Sequence, residues 1–326
     1  MKAIICTKYG IPKEVLKMVE VEKPIPKDNE VLIKNYATTV TVADCRVRGF
    51  DVPASFWLPA KLVLGFSKPR QSILGNELSG VIETVGKNVT KWKVGDEVFA
   101  YTGQRLGAYA EFLCLNEYDN IAIKPEKLSF KQSAALSFGG HAALHFLKKS
   151  NIKEGESILI YGASGSVGTH AVQLAKFFGA TVTGVCSTGN LELVKSIGAD
   201  VVIDYTKTDL SAIKEKFDIF FDTVGKADIF KSIQLIKLNG RYLHAVTTPA
   251  TEMKIRLKLL NTKIKLFGGT YTPTLEDQNF ISKLAHEGFI TPVIDQEFDF
   301  NEIVSAHEYV GKGHKKGNVA IKIAEK

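Results

Sequence analysis

The chain has 326 residues, room for about two domains at roughly 100–200 residues each. Its 45% hydrophobic and 24% charged residues exclude a disordered or collagen-like chain, and no apolar run approaches the ~20 residues of a membrane-spanning helix. Lysine and arginine number 42 against 35 acids, a net charge of +7. Only six of the 42 are arginines, and the lysines are interspersed with acids, a pattern that argues against a nucleic-acid partner.

In chain order, Met1–Tyr9 reads as a first β-strand, with too short an apolar stretch for a signal peptide, so the cytoplasm is the expected location. Cys6, Cys45, Cys114 and Cys186 form no C-x-x-C pair. They supply no cluster for a structural zinc and suit a reducing compartment. The first ~120 residues are strand-like, with short β segments at Glu30–Lys34 and Val94–Ala100. Gly75, Gly80 and Gly86, alternating with Val81, Ile82 and Val85, predict the tight backbone approaches of an irregular antiparallel barrel.

The pattern changes near residue 130. Ser129 is an N-cap for a helix predicted over 129–149. Continuously apolar strands follow at Ile158–Gly162, Thr181–Cys186, Val201–Tyr205, Phe217–Thr223, Gly240–Val246 and Lys263–Gly268. Helices are expected between them at 167–178, 190–197, about 209–216 and about 226–237, which predicts a parallel sheet covered on both faces. The chain ends in mixed α and β, with a last strand at Asn318–Ile323. His141 and His145 have i,i+4 spacing, but no acid follows His141 to serve as a base, so they read as helix-face residues.

One turn carries chemistry. After the strand Ile158–Tyr161 come Gly162, Ala163, Ser164, Gly165, Ser166, Val167 and Gly168, then a helix. This is an A-x-G-x-x-G variant of the dinucleotide fingerprint. Gly165 lets the backbone approach a pyrophosphate, Gly168 lets helix pack on strand, and the helix N-terminus supplies oriented N–H groups. The next strand ends at Cys186-Ser187-Thr188-Gly189-Asn190 with no acid for a ribose 2′-hydroxyl. That favours NADP(H) over NAD(H), although no arginine stands there to clamp a phosphate.

Four motifs together resemble the medium-chain dehydrogenase/reductase superfamily, in its zinc-free quinone oxidoreductase branch, over essentially the whole chain. They are Gly75–Gly86 followed by Val94–Val98, Tyr161–Gly168 leading into Gln173–Lys176, Gly198–Tyr205, and Phe217–Gly225. The resemblance implies an α/β protein in which a chaperonin-10-like (GroES-like) irregular β-barrel domain, 1–124 and 271–326, packs with a Rossmann doubly wound parallel-sheet domain, 125–270. The expected activity is NADPH-dependent hydride transfer to a small quinone or α,β-unsaturated carbonyl, by a monomer or homodimer. A zinc-type alcohol dehydrogenase and a non-catalytic NADPH-binding protein are the alternatives.

The resemblance also distributes roles. In zinc-dependent relatives the metal ligands align with Thr41, Asn76 and Phe138, residues that make no zinc shell, so no metal is expected. Glu77 is retained and reads as an ion-pair partner inside the fold. Thr41 and Asp44 become candidates for the catalytic cleft, with a buried cap as the alternative for Asp44, and Tyr101 is a candidate proton donor. The expected cofactor contacts are Ala163, Ser164, Gly165, Ser166, Val167, Gly168, Ser187, Asn190, Tyr205, Val246 and Asn318. Gly189 stands where close relatives often carry arginine, and Ala142 where a threonine is usual.

Overall fold

The computed structural model describes residues 1–52, 57–246, 249–260 and 262–325. They form two compact units, Met1–Phe138 with Pro273–Lys326, and Gly139–Thr272. Among the described residues no helix is long and apolar enough to cross a membrane.

In the first unit the main sheet runs, edge to edge, Ile294–Asp299, Asn318–Lys322, Glu30–Thr39, Glu77–Val85, Glu97–Tyr101 and Ile121–Ile123, with Phe112–Asn116 also paired to Glu30–Thr39. Every pairing is antiparallel except Ile294–Asp299 with Asn318–Lys322. Glu30–Thr39 is longer than predicted because three strands pair along it, and Val31, Ile33, Leu78, Ile82, Val98 and Leu115 form the core beneath. A separate hairpin, Lys2–Cys6 with Leu16–Glu20, shares a second core with the helix Ile303–Gly311.

The glycine periodicity has a steric cause. A Cβ on Gly80 would lie 2.1 Å from the Lys34 carbonyl oxygen, and one on Gly86 2.0 Å from that of Lys27. Only a residue without a side chain lets these segments cross at such distance.

The second unit is a six-stranded, wholly parallel sheet in the order Val201–Asp204, Thr181–Cys186, Ser157–Tyr161, Phe217–Asp222, Ile236–His244, Lys265–Phe267. Numbered along the chain this is 3-2-1-4-5-6, the doubly wound order whose switch point falls between Ser157–Tyr161 and Phe217–Asp222. Most strand boundaries fall within a residue or two of those expected. Two helices do not. The helix expected over 129–149 is broken into Phe130–Ala134 and Ser137–Ser150. Ser129 caps the first through a capping box with Gln132, and the Glu77 carboxylate takes the Phe138 N–H at 2.6 Å, so the second starts anew there. About 209–216 holds only a single 3-10 turn, Leu210–Ala212, because Asp209 ties down Ser211 and the charged run after it offers no apolar stripe.

Gly80→Ala forces the central strand pair apart. The expected result is a loss of roughly 2 kcal/mol, seen as a fall of several degrees in Tm by calorimetry.

Candidate active site

The glycine turn occupies the switch point of the second unit. Gly162 has φ +82°, and a Cβ there would strike Val224 and Thr223 at 2.7 and 2.8 Å. The Thr223 hydroxyl donates to the Tyr161 carbonyl at 2.8 Å and so locks the ends of the two switch-point strands together. A Cβ on Gly168 would lie 2.1 Å from the Gly162 carbonyl oxygen, so this glycine is required for helix Ser166–Phe177 to sit against its own turn. Gly165 differs, since a Cβ there would meet only the Gly162 oxygen at 3.6 Å and the space before it is open. Gly165 is also the N-cap and offers no side-chain cap. Helices beginning after Thr41, Ser129, Asp228 and Thr274 are all closed by the capping side chain. The helix N-terminus after Gly165 is thus one of those, with the helices after Asn190 and Glu302, whose N–H groups no capping side chain takes.

Ser164, Ser187 and Asn190 are brought together at the end of the second strand. The Asn190 amide donates to Ser164 Oγ at 3.0 Å and to Ser187 Oγ at 3.1 Å. Tyr205 is 47% exposed, with its ring 6.1 Å from that of Tyr161. An acid that the motif reading passed over stands close by. Asp204, in register with Cys186, accepts the Thr188 hydroxyl at 2.5 Å and the Thr206 hydroxyl and N–H at 2.7 and 2.9 Å. These bonds hold its carboxyl below the usual range and occupy both oxygens. Ala163 is buried, and its N–H donates to the Val185 carbonyl. Val246 follows the strand Ile236–His244, its carbonyl 2.6 Å from where a Cβ on Gly225 would stand. Asp222 tethers that Gly225 turn by accepting the N–H groups of Val224, Gly225 and Ala227, with buried His244 3.7 Å away.

The other candidates lie in the first unit. Thr41 and Asp44 form a capping box. The Thr41 N–H and hydroxyl donate to Asp44 Oδ2 at 2.8 and 2.6 Å, and the Asp44 N–H donates to Thr41 Oγ1 at 3.2 Å. The Asn76 amide donates to the same Thr41 oxygen at 3.1 Å, so the residues at two aligned ligand positions bond to each other. Asp44 has no exposure; it is a buried cap that orients Thr41. Glu77, equally buried, is held by the Thr39 hydroxyl and the Phe138 N–H rather than by a direct ion pair. Tyr101, half-buried, pairs in register with Glu77. Asn318 opens the strand Asn318–Lys322 and donates its amide to the Val293 carbonyl at 3.1 Å.

Sequence reasoning missed Thr39 and the partner of His307. The Cys45 sulfur lies 3.5 Å from His307 Nδ1, a pair 262 residues apart in the chain. Burial pushes the thiol up to about 12 and the imidazole down to about 3, so both are held neutral, the reverse of an activated thiolate. Burial also dominates at the two carboxyls. It pushes Asp44 up to about 6 against hydrogen bonds from Thr41, and Glu77 up to about 7 against those from Thr39 and Phe138.

These shifts give a pH signature. The folded state retains protons at Asp44 and Glu77 over a range in which the unfolded chain, with carboxyls titrating near ~4, has released them. Their contribution to stability is therefore complete at low pH and is lost as pH rises through about 6 and about 7. Asp44→Asn and Glu77→Gln each flatten that fall by roughly 2 kcal/mol, measured as the difference between denaturant melts at acidic and neutral pH.

Comparison with known proteins agrees with this architecture. Residues 27–144 match the family described as alcohol dehydrogenase GroES-like domain, and residues 197–321 the family described as zinc-binding dehydrogenase. Over 341 residues the chain is 34% identical to 2-methylene-furan-3-one reductase of Solanum lycopersicum, spanning 98% of this chain and 79% of that protein. It is 30% identical, with the same coverage, to the chloroplastic NADPH-dependent alkenal/one oxidoreductase of Arabidopsis thaliana. The solved quinone oxidoreductase from Coxiella burnetii superimposes with a TM-score of 0.86 at 31% identity over 99% of both chains. The chain is an oxidoreductase and belongs to the medium-chain dehydrogenase/reductase superfamily, in its quinone oxidoreductase-like branch.

Proposed function

We propose that this enzyme is an NADPH-preferring, zinc-independent reductase that passes hydride to quinones or α,β-unsaturated carbonyls. The observation that carries the reading is the Asn76–Thr41–Asp44 chain of hydrogen bonds at the aligned metal-ligand positions. An amide and a hydroxyl bonded to each other, with Phe138 at the third position, do not fit zinc, whatever the family description says. Among the described residues no three His, Cys, Asp or Glu side chains are grouped to hold a metal ion. The names of the two curated relatives, a furanone reductase and an alkenal/one oxidoreductase, support the enone class, and that of the solved structure supports quinones.

The residues of the second unit fit a nicotinamide dinucleotide. The cofactor supplies the hydride when bound, and the chain's own work is binding and orientation. Gly165 and the uncapped helix start receive the pyrophosphate, with Ala163, Ser164, Ser166, Val167 and Gly168 completing the turn. Asn190, its amide donated to Ser164 and Ser187, orients Ser187, whose hydroxyl donates to a 2′-phosphate together with that of the exposed Tyr205, and the Tyr205 ring flanks the adenosine. Val246 is assigned to the cofactor's remaining length. Thr41, oriented by Asp44, positions the substrate, so Asp44 is a positioning residue. Tyr101 or solvent supplies the proton that follows the hydride.

Two measurements test the reading. With one shared quinone, kcat/KM favours NADPH over NADH by about tenfold, the yield of two partly exposed hydrogen bonds to a charged phosphate. Ser187→Asp reverses that order by repulsion; a wild type that prefers NADH, or an unchanged ratio in the variant, overturns the assignment. Elemental analysis finds less than one zinc per chain, and turnover survives chelation. A tightly held stoichiometric zinc whose removal abolishes activity returns the enzyme to the alcohol dehydrogenase class.

A further inference from the structure

The helix Trp57–Leu64 in the first unit is built inside out. With about 3.6 residues per turn, Leu58, Pro59, Leu62 and Val63 share one side, and that side faces outward. Leu58, Leu62 and Val63 are 58%, 54% and 62% exposed, Trp57 is 52% exposed, and Phe66 just beyond the helix is 61% exposed. The helix's single cation points the other way. Lys61 Nζ lies over the rings of Phe50, Tyr9 and Trp57, 4.2, 4.5 and 5.3 Å from their centroids, and donates to the Phe66 carbonyl. A helix that met only water would show Lys61 and hide the leucines.

This exposure is held in place. The Gly65 N–H donates to the Lys61 carbonyl at 2.9 Å, the Arg70 N–H to that of Leu64 at 2.7 Å, and the Tyr9 hydroxyl to that of Gly65 at 2.9 Å. The charge around the helix has one sign. Between Asp51 and Glu77 the sequence contains no acid and three bases, Lys61, Lys68 and Arg70, of which Lys68 and Arg70 are exposed beside Phe66.

We propose that this face is a membrane-docking element that lies on an anionic lipid surface, with Leu58, Leu62, Val63 and Phe66 entering the acyl boundary and Lys68 and Arg70 meeting the headgroups. A helix of eight residues is only about 12 Å long, too small to supply the ~800 Å² per partner of a stable dimer, whereas a lipid surface requires no matching protein face. Docking rests on this surface alone and stands apart from the proposed reaction. Only its consequence, access to quinones dissolved in a bilayer, rests on that reading.

The test is co-sedimentation of the full chain with vesicles of phosphatidylcholine alone and of phosphatidylcholine with phosphatidylglycerol, at low and high salt. The chain pellets with the anionic vesicles and is partly released by salt. A Leu58→Asp, Leu62→Asp variant, altered only at exposed positions, partitions at least about tenfold less, because the loss of two aliphatic anchors and the added charge both oppose insertion. Lys68→Glu with Arg70→Glu removes the preference for anionic over neutral vesicles. Thermal melts of the variants match the wild type, and turnover of a water-soluble quinone, followed separately, reports on the reductase reading and not on docking. A wild type that pellets with neither vesicle, an aspartate variant that pellets as before, or a wild-type dimer that the aspartate variant dissolves in sedimentation velocity overturns the proposal.

Discussion

Two carboxyl groups without exposure hold the candidate substrate region together, and in each the hydrogen bonds offset only part of the cost of burial, which still raises both above the usual carboxylate range. Glu77 gathers a hydroxyl from the central strand and the N–H that begins helix Ser137–Ser150. Asp44 gathers the N–H and hydroxyl of Thr41. Removing a carboxylate from water is expensive unless its acceptor sites are filled. Part of the cost is offset by groups that would themselves be unsatisfied, namely a helix N-terminus and two buried threonine hydroxyls. One consequence is rigidity, since none of these groups can move without exposing another to an apolar surrounding. Another is that Asn76 is drawn into the same network through its bond to Thr41.

What was legible in the sequence was what short-range stereochemistry dictates. The glycine turn could be read because Gly162 and Gly168 stand where any side chain collides with the backbone, and such positions leave a mark at fixed spacing. The strands of the parallel sheet could be read because burial on both faces gives continuous apolar runs. The Ser129 cap could be read because serine and glutamine stand at capping-box spacing.

What stayed hidden depended on partners far along the chain. Nothing near Leu136 signals that a carboxylate some sixty residues earlier will claim the Phe138 N–H and divide a helix in two. Cys45 and His307 likewise meet only through the fold. Asp204 was passed over because it stands on the neighbouring third strand, where register sets it beside Cys186 and Thr188 and Thr206 take its oxygens. For Glu77 the direct bonds go to Thr39 and Phe138, while the complementary charge comes from Lys315, far along the chain, without a direct ion pair.

The first unit is assembled from both ends of the chain. Its strand Asn318–Lys322 pairs with Glu30–Thr39, placing Ala320 opposite Thr39, while the whole parallel-sheet unit is encoded between them. During synthesis, then, the edge of Glu30–Thr39 that awaits this partner emerges early and stays uncovered until Asn318–Lys322 has left the ribosome. The parallel-sheet unit can complete its folding meanwhile. The closing step joins segments at opposite extremes of the sequence, a pairing of high contact order and large loop entropy. A chain cut before Asn318 would carry a parallel-sheet unit that is whole beside a β unit with an open edge, a form suited to aggregation and to capture by chaperones.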